Sequence, residues 1–257
     1  MQERHKNRLL YFNEQAQTTD QYVIPYIEQV FPLREGMRIL EIGCGEGGNL
    51  KPFLDRGYEC TGIDLNTTQI ANARVFMAGH PHLDKLTLIA EDIYNIEPQP
   101  YDLIILRDVI EHIHNQERFM GFLKRFLAPN GVVFFGFPAW QMPFGGHQQI
   151  CVSKVSKIPY IHLLPAKLYA WILRKAGEQE GTVNALLEIK ETGISIERFE
   201  RIVRKEQYRT LRKTLWFIQP NYEVKFHLHK RRVAPVLRSI PWLRNFYTTA
   251  GYYVIAI

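Results

Sequence analysis

The fold class this sequence predicts is α/β, a largely parallel sheet covered by helices on both faces. Three features predict it. Short apolar runs alternate with helix-like stretches as far as Phe137, the first run closes on a glycine-rich turn, and the second and third close on carboxylates. Such alternation implies crossovers that cover both faces of a parallel sheet. Sheets of this kind bind ligands beyond the carboxyl ends of their strands.

In chain order, the strand candidates are Arg38–Ile42, Glu59–Ile63, Leu86–Ala90, Tyr101–Leu106 and Gly131–Phe137. These are short, mainly apolar runs bounded by polar or glycine residues, the pattern of a buried strand. Helical stretches lie between them at Asn49–Asp55, Thr67–Ala78 and Gln116–Leu127. In the last, Phe119, Phe122, Leu123, Phe126 and Leu127 fall at helical spacing and read as core. Ahead of the first strand, Thr19–Phe31 has an amphipathic pattern, with Pro25 early enough to be tolerated. It either covers the ligand as a lid or packs on the sheet edge. After Phe137, Pro138–Gly146 reads as a loop, Leu168–Lys175 and Ile196–Val203 as helices, and Thr214–Ile218 and Tyr252–Ile257 as strands. Lys225–Arg232 and Val233–Asn245 form a long basic insertion. The expected organisation is one domain over residues 1–257. Its parts are a helical N-terminal lid (1–36), a cofactor-binding core (37–137), and substrate-side insertions with the last strands (138–257).

With 46% hydrophobic and 23% charged residues, the chain has the composition of a globular protein with a large core. No apolar run follows the polar, basic Met1–Arg8, so no signal peptide is expected. Residues 126–152 lack Asp, Glu, Lys and Arg, but Asn130, Gly131, Pro138, Pro143, Gly145 and Gly146 interrupt them. A strand followed by a loop is therefore expected there, not a membrane span. Cys44, Cys60 and Cys151 have no zinc spacing and form no even framework, so reduced thiols in a cytoplasmic protein are expected.

Charge is unevenly spread. Residues 1–150 hold 13 Lys and Arg against 18 Asp and Glu, whereas residues 151–257 hold 19 against 8. The basic half reads first as a solvated face. The sharper reading is an anionic partner: a lipid surface, a phosphorylated substrate or, ranked lower, nucleic acid.

The turn Leu40-Glu41-Ile42-Gly43-Cys44-Gly45-Glu46-Gly47-Gly48 lies between a strand and a helix, where a ligand can approach the backbone closely. Gly43, Gly45 and Gly48 satisfy the dinucleotide spacing; Gly43, Gly45 and Gly47 satisfy a shorter one. Asp64, about 20 residues on at the end of the second strand, is placed to accept from ribose hydroxyls. Glu91-Asp92-Ile93 closes the third strand, where a carboxylate can accept from an adenine amino group. Taken singly, Asp64 and Asp92 read as helix caps. Acids after successive strands beside a glycine turn favour ligand binding. Glu41 suits a cofactor with positive charge and no phosphate.

The ordered set Leu-Glu-Ile-Gly-Cys-Gly-Glu-Gly, Gly-Ile-Asp-Leu, Ala-Glu-Asp-Ile, Tyr-Asp-Leu-Ile-Ile-Leu-Arg-Asp-Val-Ile-Glu-His-Ile and Leu-Ala-Pro-Asn-Gly-Val-Val-Phe-Phe resembles the class I S-adenosylmethionine-dependent methyltransferases. The resemblance runs from about Met37 to Phe137 and extends distantly to ubiquinone-biosynthesis O-methyltransferases. It implies a Rossmann-like, doubly wound sheet of seven strands, mostly parallel with the last antiparallel, and S-adenosyl-L-methionine as cofactor. By position, the turn Gly43-Cys44-Gly45 with Gly47 faces the methionine moiety, and Glu41 lies nearby. Asp64 holds the ribose, Leu65 lies against the adenine, Asp92 and Ile93 sit at the adenine edge, and Arg107 lines the pocket.

Methyl transfer asks the protein to position an acceptor and remove its proton. The candidate bases are His112, after the fourth strand, and His147, after the fifth. Each also has a bland reading, as a residue that orders its loop. Asp108-x-x-Glu111-His112 with His147 resembles a metal-binding pattern of ubiquinone-biosynthesis and small-RNA 2′-O-methyltransferases, with Asp108 where those have Glu. The first reading is metal-free. The function expected is O-methylation of a small or lipid-linked acceptor. The rivals are a nicotinamide-dependent oxidoreductase and a non-catalytic cofactor-binding scaffold at a membrane surface.

Overall fold

Apolar alternation along the central strands decides which side chains meet on each face of the sheet. The structure is a computed structural model that describes residues 7–257. The first six residues of the expected lid, which also open the segment read as lacking a signal peptide, lie outside the described residues. The strands are β1 (Arg38–Ile42), β2 (Glu59–Ile63), β3 (Leu86–Ile89), β4 (Tyr101–Arg107), β5 (Leu127–Phe137), β6 (Arg209–Ile218), β7 (Arg231–Arg232) and β8 (Ala250–Ala256). They form one sheet in the order β3-β2-β1-β4-β5-β8-β6-β7. The first five pair with one another in parallel, and β8 runs antiparallel between β5 and β6. The seven-stranded expectation is one short: β7 adds two residues, pairing Arg231 with Ile218 and Arg232 with Trp216.

Strand order reverses between β1 and β4, which opens a crevice beyond their carboxyl ends. Because side chains alternate along a strand, Ile39, Leu103, Ile105 and Phe134 pack on one face. Leu40, Ile42, Ile104, Leu106 and Phe135 pack on the other. Glu41 shares the face of Ile39 and pairs in register with Ile105, one step from Arg107 on the same face. Register therefore brings an acid and a cation together.

The helices are α1 (Arg8–Thr18), α2 (Ile24–Glu28), α3 (Lys51–Asp55), α4 (Thr67–Phe76), α5 (Gln116–Leu123), α6 (Ala166–Lys175), α7 (Glu180–Thr192), α8 (Ile196–Lys205), α9 (Pro220–Phe226), α10 (Pro235–Ser239) and α11 (Leu243–Phe246). Two expectations need correction. The N-terminal helix begins at Arg8, not Thr19, and a π-helical turn at Thr19–Val23 joins α1 to α2. The helix expected over Gln116–Leu127 ends at Leu123, and β5 starts at Leu127. The long basic insertion, to which the sequence reading assigns no elements, contains the end of α9, all of β7 and α10, and most of α11. A further core, holding Tyr169, Leu173, Val183 and Leu186, joins α6 to α7. All three cysteines are free and buried. Among the described residues no helix is long and apolar enough to cross a membrane.

Candidate active site

The glycine turn begins where β1 and β2 end together. Gly43 and Cys44 N–H donate to the Ile63 carbonyl at 2.8 and 3.1 Å, which ties the turn to the neighbouring strand. Gly43 has φ +70, and a Cβ there would meet Val109 Cγ2 at 2.5 Å, so two constraints demand glycine. The Cys44 side chain is buried in the core and lies beside Gly62, leaving the backbone of this residue to line the turn. Gly48 is glycine for another reason: a Cβ would lie 2.6 Å from the Phe12 carbonyl of α1. Of the two glycine spacings read from the sequence, only the shorter has all three glycines at positive φ.

Asp64 Oδ2 accepts from Gly45 N–H and Oδ1 from Asn66 N–H, both at 2.8 Å. A carboxylate has about four acceptor sites, so room remains for ligand hydroxyls. Asp92 Oδ1 accepts from Tyr94 N–H at 3.0 Å, as a cap does. Leu65 is 72% exposed, whereas Ile93 is buried.

Beneath the turn lies a polar network. Glu41 is fully buried; its Oε1 accepts from Asn49 Nδ2 at 2.6 Å, and its Oε2 has no partner. Burial pushes its carboxyl up to about 8, against the lowering effect of Asn49 and Arg107. Asn49 Oδ1 accepts from Arg107 Nη1 at 2.7 Å and from Thr19 Oγ1 at 2.8 Å. Asn49 and Thr19 are site residues the sequence reading missed. The available signal was an amide at the helix start, just past the glycine motif. A second strap holds α1: Arg8 donates from Nε and Nη2 to buried Glu46, at 2.7 and 2.5 Å.

Beyond β4 and β5 two imidazoles converge. His112 and His147 meet edge to face, with ring centroids 4.9 Å apart. Burial, with His112 and His162 nearby, takes His147 down to about 3, and desolvation also lowers His112. Glu111 is 2% exposed with both oxygens unpartnered; burial, then Asp108, raises its carboxyl well above the usual range. Ligand atoms of Glu111, His112 and His147 lie within 4.8 Å of one another. Asp108 stands outside that cluster, exposed and with φ +55.

Asp108 and His147 instead line a cavity of about 220 Å³. Met142, Phe144 and Ile150 give it an apolar wall, and Asn221, Tyr222 and Lys225 of α9 a polar one. The α9 residues are a second group the sequence reading did not assign. The only signal there was an aromatic and a lysine within one helical turn.

Residues 12–177 match a family described as a methyltransferase domain. The chain belongs to this methyltransferase-domain family. The match spans α1 to α6 and so takes in the glycine turn, both acids and both imidazoles. A ubiquinone biosynthesis O-methyltransferase of Rhodopseudomonas palustris is 33% identical over 103 residues, 38% of each chain. Its counterpart in Photobacterium profundum is 29% identical over 101 residues, 39% of this chain and 43% of that one. The aligned stretch thus spans about two fifths of these curated relatives. Among solved structures, a putative sarcosine dimethylglycine methyltransferase from Galdieria sulphuraria superposes with TM-score 0.58 at 16% identity. That comparison covers 92% of this methyltransferase-domain chain and 84% of the other. The plantazolicin methyltransferase BpumL, solved in complex with SAH, gives 0.56 at 14%, covering 98% and 86%. These likenesses establish the Rossmann-like methyltransferase fold.

Proposed function

We propose that this chain transfers a methyl group from S-adenosylmethionine to an oxygen of a small or lipid-linked acceptor. One observation carries the reading: the glycine turn, Asp64 and Asp92 share a sheet edge with two neutral imidazoles, His147 of which borders a cavity. The O-methyltransferase names of the curated relatives support oxygen as the acceptor atom. The chain fits the cofactor: Glu41 keeps a buried, unpartnered oxygen under the turn, and Leu65 offers an exposed apolar face beside Asp64.

When bound, the cofactor supplies a methyl group on a positively charged sulfur, a good leaving group that needs no acid. Glu41, Asn49 and Arg107 would hold the methionine end; Asp64 would accept from the ribose and Asp92 from the adenine amino group, and Leu65 and Ile93 would supply apolar contact to the adenine. The cavity orients the acceptor in line. His147, held near 3, is neutral and a weak base, so it positions the acceptor. His112 takes the hydroxyl proton on a ring nitrogen. A positively charged cofactor group beside Glu41 would favour its ionised form, a gain that a diphosphate would not supply, which weighs against a nicotinamide coenzyme. Two imidazoles in contact, one of them bordering a cavity, have no use in a passive scaffold.

One observation favours a second, metal-assisted reading. Glu111 has two buried orphan oxygens within reach of both imidazoles, a hard and borderline donor set suited to a divalent cation. Such a cation would lower the pKa of the acceptor hydroxyl. The test is release of S-adenosylhomocysteine with phenolic, alkyl-hydroxyl and amine acceptors, before and after chelation. Turnover of hydroxyl acceptors supports the proposal, and turnover of amines alone overturns it. Loss of turnover on chelation, restored by magnesium or zinc, selects the metal-assisted route.

A further inference from the structure

Trp242 occupies a backbone conformation that L-residues avoid. Its φ is +66 and ψ −47, and Leu243 N–H donates across it to the Pro241 carbonyl at 2.8 Å. This is a γ-turn with positive φ, a rare and strained geometry. Strain of this kind persists only where the surroundings enforce it. Here Glu197 of α8 enforces it: Oε1 accepts from Trp242 N–H at 2.9 Å and Arg244 Nε at 2.8 Å, and Oε2 accepts from Asn245 Nδ2 at 2.6 Å. Asn245 is fully buried and in turn accepts from Ile196 N–H at 2.8 Å. The strut does not pack the indole inside, since Trp242 is 61% exposed. Val236 and Ile240, on the same short segment, are 73% and 42% exposed.

The charge around this apolar corner is one-sided. Residues 224–257 contain six Lys or Arg and no Asp or Glu. Neighbouring acids are already engaged: Glu197 and Glu200 by Arg244, Glu200 also by Lys213, and Glu223 by Lys230. Arg231, Arg232 and Arg238 are exposed and form no ion pair among the described residues. Arg231 and Arg232 occupy β7, the short last strand of the sheet.

We propose that the segment from Arg231 to Tyr247 is a docking surface for an anionic phospholipid bilayer. Trp242, Ile240 and Val236 enter the headgroup boundary, while Arg231, Arg232 and Arg238 meet anionic headgroups. An indole suits that boundary because it is apolar in body and polar at one edge. Cations near the surface are attracted by the negative potential of anionic lipid. Charge complementarity selects this partner: the segment offers uncompensated cations beside bulky apolar groups, with no carboxylate to repel lipid phosphate. The surface adjoins α9, which lines the cavity and ends in exposed Phe226. The docking stands whether or not methyl transfer is the reaction.

The experiment is co-sedimentation of the full chain with vesicles of phosphatidylcholine alone or mixed with phosphatidylglycerol. The chain should partition at least about tenfold more strongly onto anionic vesicles, and high salt should remove the difference. Replacing Arg231, Arg232 and Arg238 together by Ala should cost about a hundredfold in that partitioning. Trp242→Phe should abolish the vesicle-induced blue shift of fluorescence while leaving the circular dichroism spectrum unchanged. Equal partitioning on neutral and anionic vesicles would overturn the proposal. So would wild-type binding by the triple-arginine variant, an unchanged blue shift in Trp242→Phe, or tight binding of single-stranded RNA with no vesicle binding.

Discussion

Glu41 holds a proton that solvent would take away. Its carboxyl is raised from 4.5 to about 8, so the folded chain retains the proton over a range in which the unfolded chain releases it. The unfolded state binds fewer protons there, and stability therefore falls as pH rises between those values. The slope is at most about 1.4 kcal/mol per pH unit. Glu41→Gln keeps the shape and removes the titration, and should flatten that slope; melting temperatures across the window test this. Asp64→Ala removes the proposed ribose acceptor and should weaken S-adenosylhomocysteine binding about 10- to 100-fold, measured calorimetrically. His112→Ala should lower kcat about 10²- to 10⁴-fold with cofactor affinity nearly unchanged. Glu41, Asp64 and Asp92 were legible because each sits at a fixed offset from a strand end. Asn49 and Thr19 were not: an isolated amide or hydroxyl shows its partner only once α1 is laid over the turn.

The helix α1 acts as a strap over the glycine turn. Arg8 grips Glu46, and the Phe12 carbonyl passes so close to Gly48 that no side chain fits between them. Gly48→Ala should therefore lift α1, costing about 1–3 kcal/mol, seen as a lower melting temperature and faster proteolysis near Phe12. The strap was illegible because its buried residues, Phe12, Glu14 and Thr18, make no apolar stripe. The helix α7 escaped for a related reason: Val183, Leu186 and Ile189 are buried, but polar residues surround them and Gly181 opens the run. In contrast β1 and β2 have the bounds their apolar runs predict, since a strand buried on both faces tolerates little else. The start of β6 was hidden by Arg209, Arg212 and Lys213, which a strand near the sheet edge can carry.

The molecule as a whole divides its labour along one sheet. Strands β1 to β3 end in the turn and acids of the proposed cofactor bed, β4 and β5 in the imidazoles, and β6 leads into the cavity wall at α9. The first of these groups was readable as a candidate site because the proposed cofactor bed is built from backbone and strand ends. The acceptor side was not, because its walls come from distant loops that share no spacing. Everything rests on an adenosyl sulfonium occupying the glycine turn. Isothermal titration with S-adenosylhomocysteine tests this most directly. The account predicts saturable binding at one site, sharply weakened by Asp64→Ala and unmatched by NAD. Absence of binding heat, with NAD bound at the same turn, would contradict it.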